Sequence, residues 1–314
     1  MKIAIVGAGA MGCMFGGLLS RSGHEVWLVL RRETDAQVIN ERGVILCAGG
    51  TEEIMRPKAT ASPTEVGVVD LVVFLVRSFD TAAAARQARP MVGPNTYAMT
   101  LQNGLGNVEA IMSELGMDRV IYGVTFAGGS LKGPGYVEVD ALALSHVPTR
   151  IGEWNGGQSP TLLEVCQAFD AAGIPTEITD EPQQLLWRTI AQKSATMMVT
   201  GLTKLRVGDL LELDEGRELV AMAIAEVLEV ARLKGIEGLE GSFEHAVAAS
   251  TETSRGHITS LLAAILAGKR TEVGSLGEAV VREAEQLGLS APVNQTLSLL
   301  IKIVEKTYDR TANN

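Results

Sequence analysis

Over the first half of the chain, short apolar runs alternate with stretches whose apolar residues recur at helical spacing. Ile3-Ala4-Ile5-Val6 is the first run, and a glycine-rich turn follows it. From Ala10 to Arg21, the residues Met11, Phe15, Leu18 and Leu19 recur as one helical face would require. Residues 25–30 form a second run, and further strand-like runs cover 71–76, 97–101 and 120–124, with helical stretches between them. Short apolar strands separated by helices belong to a parallel sheet covered on both faces. Weaker strand signals at 137–139 and 149–151 predict antiparallel additions before the domain ends.

After about Asp180 the pattern changes. Helical periodicity runs through 183–199, 215–234, 257–267, 271–287 and 293–308, and no strand pattern competes with it. Glu181-Pro182 suits a helix start, and Gly235 suits a helix end. The predicted architecture is an α/β Rossmann-type N-terminal domain over residues 1–180 and an all-α C-terminal domain over residues 181–314. Thr311 to Asn314 read as a frayed tail.

Composition narrows the function classes. The formal charge of -10 opposes a phosphate backbone, which argues against a nucleic-acid partner. Cys13, Cys47 and Cys166 are far apart and form no CxxC pair, as expected in a reducing compartment. His24, His146, His245 and His257 are scattered without zinc-ligand spacing, so no metal is expected. No signal-peptide pattern precedes the first strand, and no apolar run reaches membrane-spanning length. The expectation is a cytoplasmic protein with no membrane partner.

Candidate chemistry begins at Gly7-Ala8-Gly9-Ala10-Met11-Gly12, a GxGxxG pattern placed between a strand and an amphipathic helix. In that context Gly7 makes the tight turn, Gly9 lets a pyrophosphate approach the backbone, and Gly12 allows close strand–helix packing. The bland alternative is three turn glycines. The second apolar run ends at Leu30 and is followed by Arg31-Arg32, where an NAD site would place an acidic residue. Arginine suits the extra 2′-phosphate of NADP(H). Glu33 lies one step beyond that position, and two solvated arginines are the alternative.

Other segments now line up in order: Val76-Arg77-Ser78-Phe79-Asp80-Thr81, Leu101-Gln102-Asn103-Gly104-Leu105-Gly106, Gly123-Val124-Thr125, Gly133-Pro134-Gly135, Leu186-Trp187-Arg188 and Leu202-Thr203. With the glycine loop and Arg31, these resemble the ketopantoate reductase (2-dehydropantoate 2-reductase) family over nearly the whole chain. The resemblance implies reduction of a 2-keto acid or ketone by NADPH. It also implies that Asn103 sits beside the nicotinamide ribose and the substrate, and that Arg77 replaces a cofactor-contacting lysine. Glu272 matches an acidic residue near the cofactor ribose, and Ser260 matches a substrate-contacting serine. A homodimer is a further implication. Asn103 shaping a turn and Glu272 capping or pairing on a helix are the structural alternatives.

The chain departs from the family at its proton donor. The family's lysine, two residues after the tryptophan, is Thr189 here, and its two asparagines at successive helical turns are Lys193 and Met197. These three share one helix face at steps of about 6 Å. A ketone that accepts hydride needs a proton for the resulting alkoxide, and a positioned acid contributes about 10²–10⁴-fold in rate. Lys193 is therefore the expected donor, with Asn103 and Glu272 completing the catalytic set and Thr189, Met197 and Ser260 contacting substrate. An ordinary solvated or cofactor-pairing Lys193 is the alternative, and His257 reads as structural. Loss of both asparagines makes the pocket less polar, which opens it to bulkier carbonyl compounds. Two readings stand beside the reductase: a dehydrogenase of the same plan oxidising a hydroxy acid, and a catalytically weak NADP-binding redox sensor.

Overall fold

The computed structural model describes residues 1–139, 147–252 and 255–310, with backbone alone for 249–252. His146 and the tail 311–314 lie outside the described residues. Twelve strands are seen among the described residues: β1 (Lys2–Val6), β2 (Glu25–Val29), β3 (Val44–Ala48), β4 (Thr51–Met55), β5 (Lys58–Thr60), β6 (Leu71–Phe74), β7 (Tyr97–Thr100), β8 (Val120–Val124), β9 (Gly129–Gly133), β10 (Tyr136–Val139), β11 (Thr149–Glu153) and β12 (Thr176–Ile178). The chain divides into two compact units. One comprises Met1–Gln102 and Asn107–Pro182; the other comprises Asn103–Gly106 and Gln183–Asn314.

The first unit is Rossmann-type. Its main sheet has the order β12-β11-β8-β7-β6-β1-β2-β5. Strands β5, β2, β1, β6, β7 and β8 run parallel, with Ile3 opposite Val26 on one side and Leu71 on the other. All four residues of β6 and all five of β8 are buried, as expected for strands covered on both faces. β11 adds antiparallel to β8, in agreement with the pattern at 149–151.

The segment 137–139 does not join that sheet. β10 pairs parallel with β3 and antiparallel with β9, in a second sheet of order β4-β3-β10-β9. β3 and β4 form a hairpin across Gly49 and Gly50, whose φ values of 57° and 83° suit the two-residue turns that match strand twist. The helix Ala10–Arg21 lies between the two sheets. A Cβ at Gly16 would meet Leu28 Cδ2 of the main sheet at 2.4 Å, and one at Gly17 would meet Met55 Sδ of the second sheet at 2.8 Å. Phe15 packs on Phe169 of the helix Pro160–Ala171, with ring centroids 5.9 Å apart. Cys13 is sealed in this core, and burial pushes its thiol up to about 12.

The second unit is built of helices, with no strand among its described residues. Its helices are Pro182–Thr203, Val207–Glu212, Asp214–Leu233, Ser242–Glu252, Ser260–Leu266, Gly277–Gln286 and Pro292–Lys306. Gly201 permits close packing, because a Cβ there would lie 2.3 Å from Leu261 Cδ2. The N–H groups of Val293 and Asn294 donate to Glu226 at 2.8 and 2.9 Å, which satisfies the start of the last helix.

Two predicted helices are shorter than their periodicity. The stretch 257–267 becomes helical only at Ser260, because Thr259 caps it by accepting from the Leu262 N–H. The stretch 271–287 is broken into a 3₁₀ turn, Val273–Ser275, and the helix Gly277–Gln286. The Ser275 carbonyl, which a continuous helix would use internally, accepts from the Leu105 N–H at 2.8 Å instead. Among the described residues, no helix is long and apolar enough to cross a membrane, and no group of three or more His, Cys, Asp or Glu could hold a metal ion.

Gly12 is the tightest point of the first unit, since a Cβ there would lie 1.9 Å from the Gly7 carbonyl oxygen. Gly12→Ala is expected to lower stability by about 1–3 kcal/mol, as overpacking does. A urea midpoint measured beside the native protein checks this, and an unchanged midpoint contradicts it.

Candidate active site

The strand order places β1 between β6 and β2. The loops leaving the carboxyl ends of these three strands therefore lie side by side and carry Gly7–Gly12, Arg31 and Arg77. This edge is where open α/β sheets bind ligands. Gly7 has φ +104° and donates its N–H to the Val29 carbonyl at 3.0 Å. A Cβ there would meet the Leu75 carbonyl group at 2.9 Å. Gly9 differs: it is exposed, and a Cβ on it would meet nothing within 4 Å. It precedes the helix Ala10–Arg21 and supplies no side-chain cap; the Cys13 N–H to Gly9 carbonyl bond, at 2.9 Å, opens the helix. The N–H groups of Ala10, Met11 and Gly12 thus lie ahead of the helical ladder. Ala8, Ala10 and Met11 are half-buried around this open spot. A helix N-terminus with a bare, accessible backbone fits a pyrophosphate.

The charged residues around the cradle have separate commitments. Arg32 pairs with Asp35 at 2.7 Å, and Glu33 accepts from the Ala61 N–H at 3.3 Å. Arg31 is 88% exposed and pairs loosely with Asp80, at 3.6 Å. Arg77 is exposed and opens the short turn Ser78–Asp80, its carbonyl accepting from the Asp80 N–H at 2.8 Å.

Gln102 fixes the geometry of the Arg77 loop. Its buried amide donates to the Val76 carbonyl at 2.7 Å and to the Thr81 hydroxyl at 2.8 Å, and accepts from the Thr100 hydroxyl at 2.9 Å. Thr81 in turn donates to Asn107 at 2.9 Å. The sequence placed Gln102 inside a motif but gave no sign of this network, whose partners are up to 26 residues away.

The second unit holds the other candidates. Asn103 is half-buried and precedes Gly104, whose φ of +100° and closeness to Ser275 exclude any side chain; a Cβ would lie 2.5 Å from Ser275 Oγ. Ser275 donates both its N–H and its hydroxyl to the Glu272 carbonyl, each at 3.0 Å. Ser275, which no sequence signal marked, therefore links the Asn103 loop to Glu272. Thr189, Lys193 and Met197 lie at successive turns of the helix Pro182–Thr203. Thr200 donates to the Met197 carbonyl and exchanges a 3.0 Å hydrogen bond with Thr259, which ties this helix to the segment that begins at Ser260. His257 is exposed.

Comparison with known proteins settles the family. The family model described as "Ketopantoate reductase PanE/ApbA" matches residues 3–156, and its C-terminal counterpart matches residues 181–305. The chain belongs to the ketopantoate reductase family. It is 31% identical to a 2-dehydropantoate 2-reductase of Halobacterium salinarum, over 98% of this chain and 99% of that one. It is 32% identical to one of Pyrococcus horikoshii, over 97% and 98%. A solved ketopantoate reductase from Ralstonia eutropha superposes with TM-score 0.87 at 29% identity, over 99% of this chain and 100% of that one. The D-mandelate dehydrogenase structure with NADH and anilino(oxo)acetate shares the fold, with TM-score 0.90 at 22% identity over 99% and 100%.

Against the ketopantoate reductase pattern, the departure at Thr189 has a clear physical meaning. Its hydroxyl donates to the Leu185 carbonyl at 2.8 Å, so its proton is committed to its own helix. Lys193 is half-buried, and loss of hydration pushes its ammonium down from the ordinary 10.5 to about 8.

Two outcomes follow. Gln102→Leu leaves the Val76 carbonyl and two hydroxyls without their partner, and should lower stability by about 1–3 kcal/mol in calorimetry. For Lys193, the folded pKa lies below the unfolded one, so the unfolded chain binds more protons between about pH 8 and 10.5 and native stability rises with pH there. The stability of the native protein relative to Lys193→Met should therefore rise with pH through that window. A constant difference across the window would contradict this.

Proposed function

We propose that the chain is an NADP(H)-dependent reductase that converts a 2-keto acid or ketone to the hydroxy compound, with 2-dehydropantoate the first substrate to test. The observation that carries this reading is Lys193, a half-buried ammonium with its pKa brought to about 8, one helical turn from Thr189, which stands where the family has its donor lysine. The glycine cradle and the exposed Arg31 support a phosphorylated dinucleotide. The curated relatives support the carbonyl substrate through their name, 2-dehydropantoate 2-reductase.

Reduced nicotinamide, when bound, supplies the hydride to the carbonyl carbon. Lys193 gives its proton to the carbonyl oxygen, and its positive charge favours the developing alkoxide. Asn103 and Glu272, linked through Ser275, orient the nicotinamide ribose and the substrate. Arg77 contacts the cofactor from the loop that Gln102 holds. Thr189, Met197 and Ser260 bound the substrate's place. With the Thr189 proton committed and Met197 in place of an asparagine, that place favours a less polar substrate than the family's own.

NADPH oxidation across ketopantoate and a panel of 2-keto acids and ketones tests the reading. Turnover is expected with at least one of them, falling as pH rises through about 8 because the donor must be protonated. Lys193→Ala should lower kcat by about 10²–10⁴-fold. Undiminished turnover in that variant would remove Lys193 from the mechanism.

A further inference from the structure

Asp80 immediately precedes the helix Thr81–Ala88, the position where an acidic side chain ordinarily caps the first N–H groups. It makes no such bond. Its backbone N–H is held by the Arg77 carbonyl at 2.8 Å, and its carboxylate meets the Arg31 guanidinium at 3.6 Å. Arg31 follows β2 and Asp80 follows β6, the two strands on either side of β1. The pair therefore bridges the loops that flank the glycine turn. The charged residues next to Arg31 in sequence are engaged elsewhere: Arg32 with Asp35, and Glu33 with the Ala61 N–H; Arg77, on the Asp80 loop, is a second cation near the pair. Asp80 is thus an acidic group that faces the arginine assigned to the cofactor phosphate.

We propose that Asp80 is a specificity-determining residue that narrows the discrimination between phosphorylated and unphosphorylated dinucleotides. This rests on the reading of Arg31 as the phosphate-binding residue. A 2′-phosphate must draw Arg31 from its carboxylate partner and then tolerate that carboxylate nearby. A ribose 2′-hydroxyl has neither cost, and a carboxylate accepts a hydrogen bond from it. One site thus holds two opposed determinants: Arg31 selects for the phosphate and Asp80 selects against it. Because the pair is long and exposed, the opposition is modest and the arginine is easily released.

Calorimetric titration of 2′,5′-ADP and 5′-AMP into the native protein, Asp80→Asn and Arg31→Ala tests this without turnover. The asparagine is isosteric and removes no cap, so the fold is kept. Asp80→Asn is expected to tighten 2′,5′-ADP by about fivefold at about 0.1 M salt, while 5′-AMP is unchanged or weaker. Arg31→Ala is expected to weaken 2′,5′-ADP by about tenfold or more and to leave 5′-AMP within about twofold. If Arg31→Ala behaves so and Asp80→Asn leaves 2′,5′-ADP unchanged, the role of Asp80 is overturned and the NADP reading stands. Equal tightening of both ligands by Asp80→Asn also overturns it. If Arg31→Ala spares 2′,5′-ADP, the phosphate reading itself fails and the inference falls with it.

Discussion

A methyl group at residue 12 would stand 1.9 Å from the Gly7 carbonyl oxygen, and much of the first unit depends on that closeness. The first helix can start where it does, hard against the end of β1, only because two backbones meet there without side chains. Its next two glycines continue the constraint, Gly16 against Leu28 and Gly17 against Met55, so that one helix serves two sheets. The exposed backbone at Gly9 is the outcome of this packing. Gly7 and Gly12 on either side of it are tightly packed, while a Cβ on Gly9 would meet nothing within 4 Å. A phosphate site made of peptide N–H groups needs that rigidity, because a mobile turn would have to be ordered by the ligand.

The loop after β7 shows a similar economy with different chemistry. Gln102 faces inward and satisfies the Val76 carbonyl and two threonine hydroxyls. One residue later the chain belongs to the other unit, where Gly104 lies against Ser275. Three consecutive residues are thus a buried amide anchor, a candidate functional asparagine and a glycine that admits no substitute. Gln102, Gly104 and Leu105 are thus each constrained by the fold, the first by Val76, Thr81 and Thr100 and the other two by Ser275.

What the sequence disclosed and what it hid follow from the range of the interactions involved. The strand–glycine–helix unit is local, so its spacing was readable. The opposed partners of Arg31 and Gln102 come from distant segments and left no spacing to read. β4 escaped because Thr51 through Ile54 are exposed, which erases the alternation that marks a strand, although Gly49-Gly50 was a usable hairpin signal. The stretch 271–287 has helical periodicity, yet its continuity is broken by an N–H from Leu105. Lys193 stood out as a charge at a helical step between Thr189 and Met197, but the fall in its pKa is a property of burial that no single residue announces.

The position of Asn103–Gly106 within the second unit has a practical side for anyone cutting this chain. A fragment beginning at Gln183 would retain the helices of that unit, less the Pro182 that starts the first of them, but lose Asn103–Gly106, which come to it from elsewhere in the chain. The Ser275 carbonyl would lose its donor, and the 3₁₀ turn beside Glu272 would lose the glycine that packs on it.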